Sequence, residues 1–168
     1  MITGSVVSSL QGEPRLTHDI DIVVQIDATA IPALAKSFPS PRYYFSEASI
    51  LDALKNKTMF NLIDSLESDK INFWLLTEDE FDQTRFSRKI ANSVFGIELN
   101  VSTPEDTILA KLRLSKMAGG SEQQFTDALR VYELQFGKLD LNYLESWIQK
   151  LELDEFWKRL KKEAQPIL

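Results

Sequence analysis

The sequence has 168 residues, of which 43% are hydrophobic and 26% charged, a composition typical of a globular chain. Its formal net charge of -6 at pH 7 disfavours non-specific nucleic-acid binding, which needs clustered Lys and Arg. The absence of cysteine excludes disulfides, thiolate zinc sites and a cysteine nucleophile, and the single histidine leaves oxygen ligands for any metal, which suits Mg²⁺ or Mn²⁺. No apolar run is long enough to span a bilayer and no signal-peptide pattern is present, so we expect a cytoplasmic protein without a membrane segment.

The first part of the chain alternates short β-rich runs with amphipathic helices. Gly4 and Ser5 open a helix in SVVSSLQG, and the β-branched run DIDIVVQI predicts a central, mostly buried strand. Ser46 is the predicted N-cap of a helix in SEASILDALKN. The other predicted elements are a helix in TAIPALAKSF, neighbouring strands in TMFNLID and KINFWLL, a helix in TEDEFDQTRFSRK and a hairpin in IANSVFGIELNVS that turns at Gly96.

From Thr103 onward, every segment predicts helix. Thr103 as N-cap, Pro104 at the first helical position and Asp106 three residues after the cap mark the start of a helix in TPEDTILAKLRLSKM. Glu105 and Asp106 resemble a catalytic pair, but carboxylates in a first turn are favoured by the helix dipole, so we interpret them as capping residues. Gly119-Gly120 ends the helix.

Three further helices are predicted after this turn. Ser121 is the expected N-cap of the first, in SEQQFTDALRVYELQF, and the other two lie around LNYLESWIQKL and EFWKRLKKEA. The helix in LNYLESWIQKL carries a stripe at helical spacing that predicts core packing: Leu144, Trp147, Ile148 and Leu151. The sequence therefore predicts an α+β fold, with a mixed β-sheet and flanking helices over residues 1–102 and a C-terminal helical part over residues 103–168 packed on it.

Asp19 and Asp21 are unusual in the first long strand. Side chains alternate along a strand, so these two carboxylates share one face and lie about 6–7 Å apart at Cα. Carboxylates on one face repel each other and resist desolvation unless a positive group lies between them. One or two divalent cations would serve, and a solvent-facing pair at the edge of a strand is the alternative.

The residues before Asp19 are suited to an anionic ligand. Gly4 allows close approach to the backbone, and the N-terminus of the following helix attracts a phosphate. Arg15 lies in GEPRLTHD, between that helix and the two aspartates. These features favour the metal interpretation over the solvent-facing pair.

Gly4-Ser5, a short helix and then Asp19-Ile20-Asp21 resemble the signature of the polymerase-beta-type nucleotidyltransferase superfamily. GEPRLTHDIDIVV is similar to the small bacterial members, namely the minimal nucleotidyltransferases and the abortive-infection proteins of toxin–antitoxin systems. TPEDTILAKL and GGSEQQFTDAL resemble segments of an uncharacterised bacterial subgroup, so the resemblance extends over nearly the whole chain. Relatives usually carry a helix before the Gly-Ser pair, so the resemblance also predicts that the chain's start is truncated or that this helix has been lost.

The resemblance implies a nucleotide site with metal ions. Gly4 and Ser5 would contact phosphate, and Asp19 and Asp21 would bind Mg²⁺ or Mn²⁺ as metal ligands and catalytic residues. In the superfamily a third carboxylate completes a two-metal site that activates the acceptor hydroxyl and stabilises the leaving pyrophosphate. The corresponding strand of this chain is Lys70-Ile71-Asn72-Phe73, so Asn72 occupies the third position with a neutral amide, a workable ligand but a poor general base. Asp64, Asp69 and above all Glu98 are the candidate substitutes.

Lys111, Gln124 and Asp127 are the remaining candidates, together with Arg15, for contact with the nucleotide. They resemble a Lys…Asp pattern that borders the active site in abortive-infection relatives, where a lysine neutralises triphosphate charge. The alternative is a Lys111–Asp127 salt bridge that joins two helices. Both interpretations remain open from the sequence.

Three functions follow from this pattern. The first is a metal-dependent nucleotidyltransferase that moves a nucleoside monophosphate from an NTP such as ATP to a protein, RNA or small-molecule acceptor; the acidic charge favours an acceptor other than RNA. The second is a catalytically weakened module that binds nucleotide or a partner protein, as a toxin–antitoxin component would. The third, a purely structural domain, leaves Asp19 and Asp21 without a purpose. Asn72 is the residue that separates enzyme from binding module.

Overall fold

A seven-stranded mixed sheet with helices packed against it forms the fold in the computed structural model, which describes residues 1–94 and 96–166. The strands are β1 (Ile2–Thr3), β2 (Asp19–Val24), β3 (Tyr43–Tyr44), β4 (Met59–Asp64), β5 (Lys70–Leu75), β6 (Ile90–Val94) and β7 (Ile97–Val101). The helices are α1 (Gly4–Gln11), α2 (Ile31–Ser37), α3 (Glu47–Asn56), α4 (Glu80–Ser87), α5 (Pro104–Met117), α6 (Glu122–Gln135), α7 (Leu141–Lys150) and α8 (Asp154–Glu163). The predicted α+β class is confirmed.

The strand order is β3-β4-β5-β2-β1-β7-β6, which puts the aspartate strand β2 in the middle of the sheet. β2 runs parallel to β5 and antiparallel to β1, and β1 runs parallel to β7. The predicted pairing of the KINFWLL and TMFNLID strands is confirmed as the antiparallel pair β4–β5. The predicted hairpin is β6–β7, and Gly96 within its turn has a φ of 77°; Phe95 lies outside the described residues.

β1 is a two-residue strand inside the sheet, whereas the other two-residue strand, β3, lies at its edge. The two residues of β1 pair with Ile22 and Asp21 of β2 on one side, while Ile2 pairs with Val101 of β7 on the other. This short strand joins the β6–β7 hairpin to the rest of the sheet.

Two apolar clusters form the core. One lies between the sheet and helices α2 and α3 and is built from Ile31, Ile50, Ala53, Phe60, Leu62, Phe73 and Leu75. The other is centred on α5–α8, and Phe81 of α4 belongs to it. The predicted stripe on α7 is part of this second cluster, with Leu144, Trp147 and Ile148 buried and Leu151 partly buried.

Most of the predicted helix ends are confirmed by their hydrogen bonds. Ser46 Oγ accepts from the Ser49 amide and Thr103 Oγ1 accepts from the Asp106 amide, both at 3.2 Å. The prediction for Ser121 was wrong in its chemistry: Ser121 lies at the N-cap position of α6, but its side chain makes no capping bond. Its backbone carbonyl instead accepts from Ser115 Oγ at 2.9 Å.

Helix α1 lies between β1 and β2 in the chain but also contacts α5 and α6. Gln11 Nε2 donates to the Ser102 carbonyl at 2.6 Å, and Gln135 Nε2 donates to the Gln11 carbonyl at 2.8 Å. The second of these bonds crosses the predicted division between residues 102 and 103, which stays a prediction. In the described part of the chain, every helix is too short or too polar to span a bilayer.

Candidate active site

The start of α1 is in direct contact with the aspartate strand. Thr3 pairs with Asp21 in the β1–β2 register, so the next residue, Gly4, lies beside the Asp21 side chain. Gly4 has a φ of 70°, and a Cβ built on it would overlap Asp21 Oδ2. Glycine is therefore required at this position for backbone conformation and for space.

Asp21 is held by two neutral donors from strand β5. Asn72 pairs with Asp21 in the parallel register, and Asn72 Nδ2 and Trp74 Nε1 each donate to Asp21 Oδ1 at 3.0 Å. Asn72 is buried, and its Oδ1 has no hydrogen-bond partner among the residues that the structure describes. The third position of the predicted site is therefore adjacent to Asp21, and its amide oxygen is buried without a hydrogen-bond partner among the described residues.

Asp19 lies at the beginning of β2, on the same face as Asp21. It pairs with Lys70 in the register, and Lys70 Nζ is 3.4 Å from Asp19 Oδ2. The Asp19 side chain is 47% exposed. Asp19 thus lies at the outer, solvated end of the site, whereas Asp21 lies at the inner end.

A polar network joins α1, α5 and α6 beside these carboxylates. Asp127 accepts from Arg15 Nε at 3.0 Å and Nη2 at 3.1 Å, and from Lys111 Nζ at 2.7 Å. Arg15 Nη2 and Lys111 Nζ also donate to Ser5 Oγ, at 2.5 and 3.4 Å, and Gln124 Oε1 accepts from Lys111 at 2.9 Å. Two cations meet one carboxylate, so the network carries an excess positive charge at the N-terminus of α1.

Burial and charge pairing act on the titrating groups of this network. Burial lowers the pKa of Lys111 below its ordinary value, and the ion pair with Asp127 opposes that shift without cancelling it. Burial by itself would raise the pKa of Asp127, but hydrogen bonds from Arg15 and Lys111 outweigh it, so the pKa lies below its ordinary value. Asp127 is therefore held in its charged form.

The aspartate strand and the network meet at a cavity of about 300 Å³. Gly4, Asp21 and Lys111 line it, together with Trp74. The other lining side chains are contributed by β1, β2, α4 and α5: Thr3, Val23, Phe81, Asp82, Arg85, Thr107, Ala110, Arg113, Leu114 and Met117. A volume of this size is at the lower end of the range for small-molecule sites.

The structure brings together most of the residues that the sequence singled out. Gly4, Asp21 and Lys111 line the cavity. Asn72 donates a hydrogen bond to Asp21. Four more predicted residues take part in the bordering network: Ser5, Arg15, Gln124 and Asp127. The lysine–aspartate salt bridge that the sequence left open is present.

Glu98 is not the missing carboxylate. Thr3 marks the level of Asp21 in the sheet, and β7 reaches Ile2 only at Val101. Glu98 is therefore about four residues, or about 13 Å, farther along the strand direction. In residues 1–94 and 96–166, no three His, Asp or Glu side chains are grouped as metal ligands.

Trp74 is the site residue that the sequence analysis did not select. Its signal is the alternation of side chains in KINFW, which puts Trp74 on the same face as Asn72. The sequence analysis did not select Trp74, because a tryptophan side chain neither titrates nor binds metal. Its hydrogen bond to Asp21 becomes visible only once β5 is paired with β2.

The donor types at this site suit one divalent cation. The candidate oxygens belong to the two carboxylates Asp19 and Asp21 and to the unpaired Oδ1 of Asn72. Carboxylate and amide oxygens are the ligands that Mg²⁺ and Mn²⁺ prefer. A two-metal arrangement would lack the bridging charge of a third carboxylate.

Comparisons with known proteins support the fold. No protein-family model matches this sequence, and no curated protein matches it. A solved structure, described as an antigenic nucleotidyltransferase-like protein from Paracoccidioides brasiliensis, is similar over 98% of this chain and 84% of that chain, with a TM-score of 0.50 and 16% sequence identity. The fold of this chain is therefore nucleotidyltransferase-like, as the resemblance implied. The small bacterial subgroup within that class stays a prediction.

Proposed function

We propose that this chain binds a nucleoside triphosphate with one divalent cation, Mg²⁺ or Mn²⁺, and transfers the nucleoside monophosphate slowly to an acceptor. The observation that carries this proposal is the convergence of Gly4, Asp21 and Lys111 on one cavity of a nucleotidyltransferase-like fold. Each of these residues suits a different part of the ligand. Together they support a site for a metal-bound polyphosphate.

The phosphates are assigned to the N-terminus of α1 and the polar network. Backbone N–H groups at a helix N-terminus attract anions, and Gly4 at the start of α1 lines the cavity. Arg15 and Lys111 already bind Ser5 Oγ and Asp127, so they are fixed near the start of the helix before a ligand arrives. Their excess positive charge favours a polyphosphate.

Asp19, Asp21 and Asn72 Oδ1 are the groups that would hold the cation. When bound, a divalent cation neutralises phosphate charge and orients the phosphates. The two aspartates lie on one face of β2, and Trp74 and Asn72 fix the Asp21 carboxylate through neutral N–H groups. Among the described residues, the side chains that donate to Asp21 are therefore neutral, so a cation would not compete there with a hydrogen-bonded basic group.

Asn72 is the reason for slow transfer in this proposal. A neutral amide cannot accept the proton of an acceptor hydroxyl. Loss of a single proton-transfer group costs on the order of 10²–10⁴-fold in rate. The acceptor is assigned to the protein or small-molecule class, because a net charge of -6 disfavours RNA.

A thermal-shift panel tests the proposal, with ATP, GTP, CTP and UTP each added with and without Mg²⁺ or Mn²⁺. We expect stabilisation only when nucleotide and cation are present together, by about 2.7 kcal/mol at a hundredfold excess over the dissociation constant. Asp19→Asn with Asp21→Asn should abolish the shift without unfolding the chain. Equal, metal-independent stabilisation of the wild type and the double variant would contradict the metal site.

A second candidate is a module that binds nucleotide or a partner protein without transferring anything. The hydrogen bond between Asn72 and Asp21 favours it, because that bond satisfies Asp21 without a cation. A toxin–antitoxin component would be one such module. Incorporation of α-labelled nucleotide into candidate acceptors separates the two: a module gives none in the wild type and none after Asn72→Asp.

A further inference from the structure

Trp74 differs from the other tryptophans of the chain. All three lie among the described residues, and Trp74 is 44% exposed while Trp147 and Trp157 are 6% and 5% exposed. Trp74 also lines the cavity that contains Asp21 and Lys111. Leaving a large aromatic ring exposed in a cavity is unfavourable for folding alone and indicates a role in binding.

The indole of Trp74 is anchored by one edge. Its Nε1 donates to Asp21 Oδ1 at 3.0 Å, and the pairing of Val23 with Trp74 sets its position in the central part of the sheet. The ring therefore has a fixed place relative to the carboxylate that we assign to the cation. A preorganised ring loses little conformational entropy when a ligand binds against it.

In the wall of the cavity that α4 and α5 contribute, both arginines are paired with carboxylates. Arg85 Nε is 3.0 Å from Asp82 Oδ1, and Arg113 Nη1 is 3.1 Å from Asp79 Oδ1. Four other side chains of this wall are apolar, namely Phe81, Ala110, Leu114 and Met117, and the hydroxyl of Thr107 donates to the Thr103 carbonyl at 2.8 Å. This half of the cavity suits a flat, uncharged group, whereas the half at Gly4 and Lys111 suits an anion.

We infer that Trp74 is the stacking surface for the nucleobase of the bound nucleotide, and that it makes the site prefer purines over pyrimidines with little discrimination between adenine and guanine. The inference rests on the proposed function for the phosphate half of the ligand. Stacking on an aromatic side chain tolerates every base because every base has a π-face. A purine offers the larger stacking area, and the apolar wall has few groups that could read base edges.

The test compares nucleotides with a ligand that has no base. Calorimetric titrations use ATP, GTP, CTP, UTP and inorganic triphosphate, all with Mg²⁺, and tryptophan fluorescence is recorded in parallel. We expect ATP and GTP to bind about equally and about 5- to 150-fold more tightly than inorganic triphosphate, as stacking of one base predicts. The affinities of CTP and UTP should lie between those of the two purine nucleotides and that of inorganic triphosphate. Quenching by the bases should come from Trp74, since the other two tryptophans are buried.

Two substitutions at Trp74 separate stacking from the bond to Asp21. Trp74→Phe keeps an aromatic face and loses the N–H, whereas Trp74→Leu loses both. We expect Trp74→Phe to keep ATP affinity within a few-fold and to lose the fluorescence response, and Trp74→Leu to bind ATP no better than inorganic triphosphate. Tyr44→Leu is the matched control, because Tyr44 is a 62% exposed aromatic residue on β3 outside the cavity.

Each other outcome overturns the inference. Equal losses in Trp74→Phe and Trp74→Leu would mean that only the hydrogen bond to Asp21 matters. Inorganic triphosphate binding as tightly as ATP would remove the base subsite and leave the proposed phosphate site intact. Failure of every ligand, inorganic triphosphate included, would overturn the proposed function and this inference together.

Discussion

At the scale of single residues, Asn72 is the residue that separates an enzyme from a binding module. It is buried, it pairs with Asp21 across the β2–β5 register, and its Nδ2 donates to Asp21 Oδ1. An aspartate at this position would add a negative charge beside Asp21 and would remove that donor. The identity of one side-chain atom therefore separates an amide that stabilises Asp21 from a carboxylate that could bind metal with it.

We predict that Asn72→Asp raises nucleotidyl transfer and tightens Mg²⁺ binding. A third carboxylate increases the charge of the ligand set and can accept a proton. The fold should lose stability without metal, because a carboxylate at the buried position 72 would repel Asp21 and could not donate the hydrogen bond that Asn72 donates. Incorporation of α-labelled nucleotide under saturating Mn²⁺ measures transfer. Brisk transfer by the wild type that falls in the variant would show that Asn72 is not a weakened ligand.

Gly4 gives a second prediction at this scale. Gly4→Ala should destabilise the chain by more than about 1 kcal/mol, because a positive φ is unfavourable for alanine and the new Cβ overlaps Asp21 Oδ2. Gly119→Ala is a matched control: its φ is 69° against 70° for Gly4, and nothing lies within 4 Å of its Cβ position. The difference in unfolding free energy between the two variants measures the contact with Asp21. Equal losses would mean that this contact is relieved without cost.

At the scale of elements, the site depends on how α1, α5 and α6 are held together. Arg15 and Asp127 are 112 residues apart in the sequence, and Lys111 lies on a third segment, yet the three form one network. Their side chains are mostly buried, with 29%, 8% and 3% exposed for Arg15, Asp127 and Lys111. Substituting one of the three residues by an uncharged one leaves the remaining charges buried without their partner, which is strongly unfavourable.

We predict that Lys111→Ala weakens NTP binding more than NMP binding, because Lys111 faces the cavity that we assign to the triphosphate. A double-mutant cycle with Asp127→Asn should show a stability coupling of about 0.5–3 kcal/mol. Titrations of both nucleotides and urea unfolding provide the measurements. Glu133→Gln is the control, since Glu133 is a buried carboxylate on α6 that pairs with Arg130 outside the cavity. Unchanged affinity with lower stability would leave only the salt-bridge role.

The same pair predicts how stability depends on acid. The pKa of Asp127 is lower in the folded chain than its ordinary 3.8, so the unfolded chain binds this proton more readily. Asp127 contributes its whole stabilising effect when the pH is above the ordinary pKa of 3.8. That contribution is lost as the pH falls through the lower pKa of the folded chain. The difference in unfolding free energy between wild type and Asp127→Asn should therefore shrink with acidification. A difference that stays constant over this interval would contradict the assignment.

Local patterns predicted the longer elements, but they missed the two-residue strands β1 and β3 and were insufficient for the contacts between elements. The caps at Ser46 and Thr103 could be predicted because a cap depends on a few neighbouring residues. The cap at Ser121 was wrong, because backbone and Ser115 contacts already hold the connection between α5 and α6. Residue type and spacing locate a cap, but they do not fix the rotamer that makes its hydrogen bond.

At the scale of the whole molecule, the candidate site was predictable in its members and not in its arrangement. Alternation along β2 predicted that Asp19 and Asp21 share a face, while the resemblance supplied Lys111, Gln124 and Asp127. The level of Glu98 in the sheet depends on how β1 pairs with β7, and a two-residue strand has too little pattern to predict it. Trp74 likewise joined the site only through strand pairing.

The short strand β1 predicts uneven dynamics across the sheet. Local unfolding follows the number of buried contacts and protected hydrogen bonds, and the β6–β7 hairpin joins the other strands through β1 alone in the described sheet. Native-state hydrogen exchange should therefore show less protection for the described amides of β6 and β7 than for those of β2 and β5. Equal protection of all four strands would mean that the sheet opens as one cooperative unit.

If the hairpin opens separately, the molecule has two unfolding units of different free energy. The unit with the higher free energy contains β2 and β5 and with them Asp21, Asn72 and Trp74. Transient opening of β6–β7 would then leave these residues in place, so the ligand pocket would outlast fluctuations at the sheet edge. Proteolytic nicking in the hairpin, followed by a nucleotide titration, would reveal this independence as binding that survives cleavage.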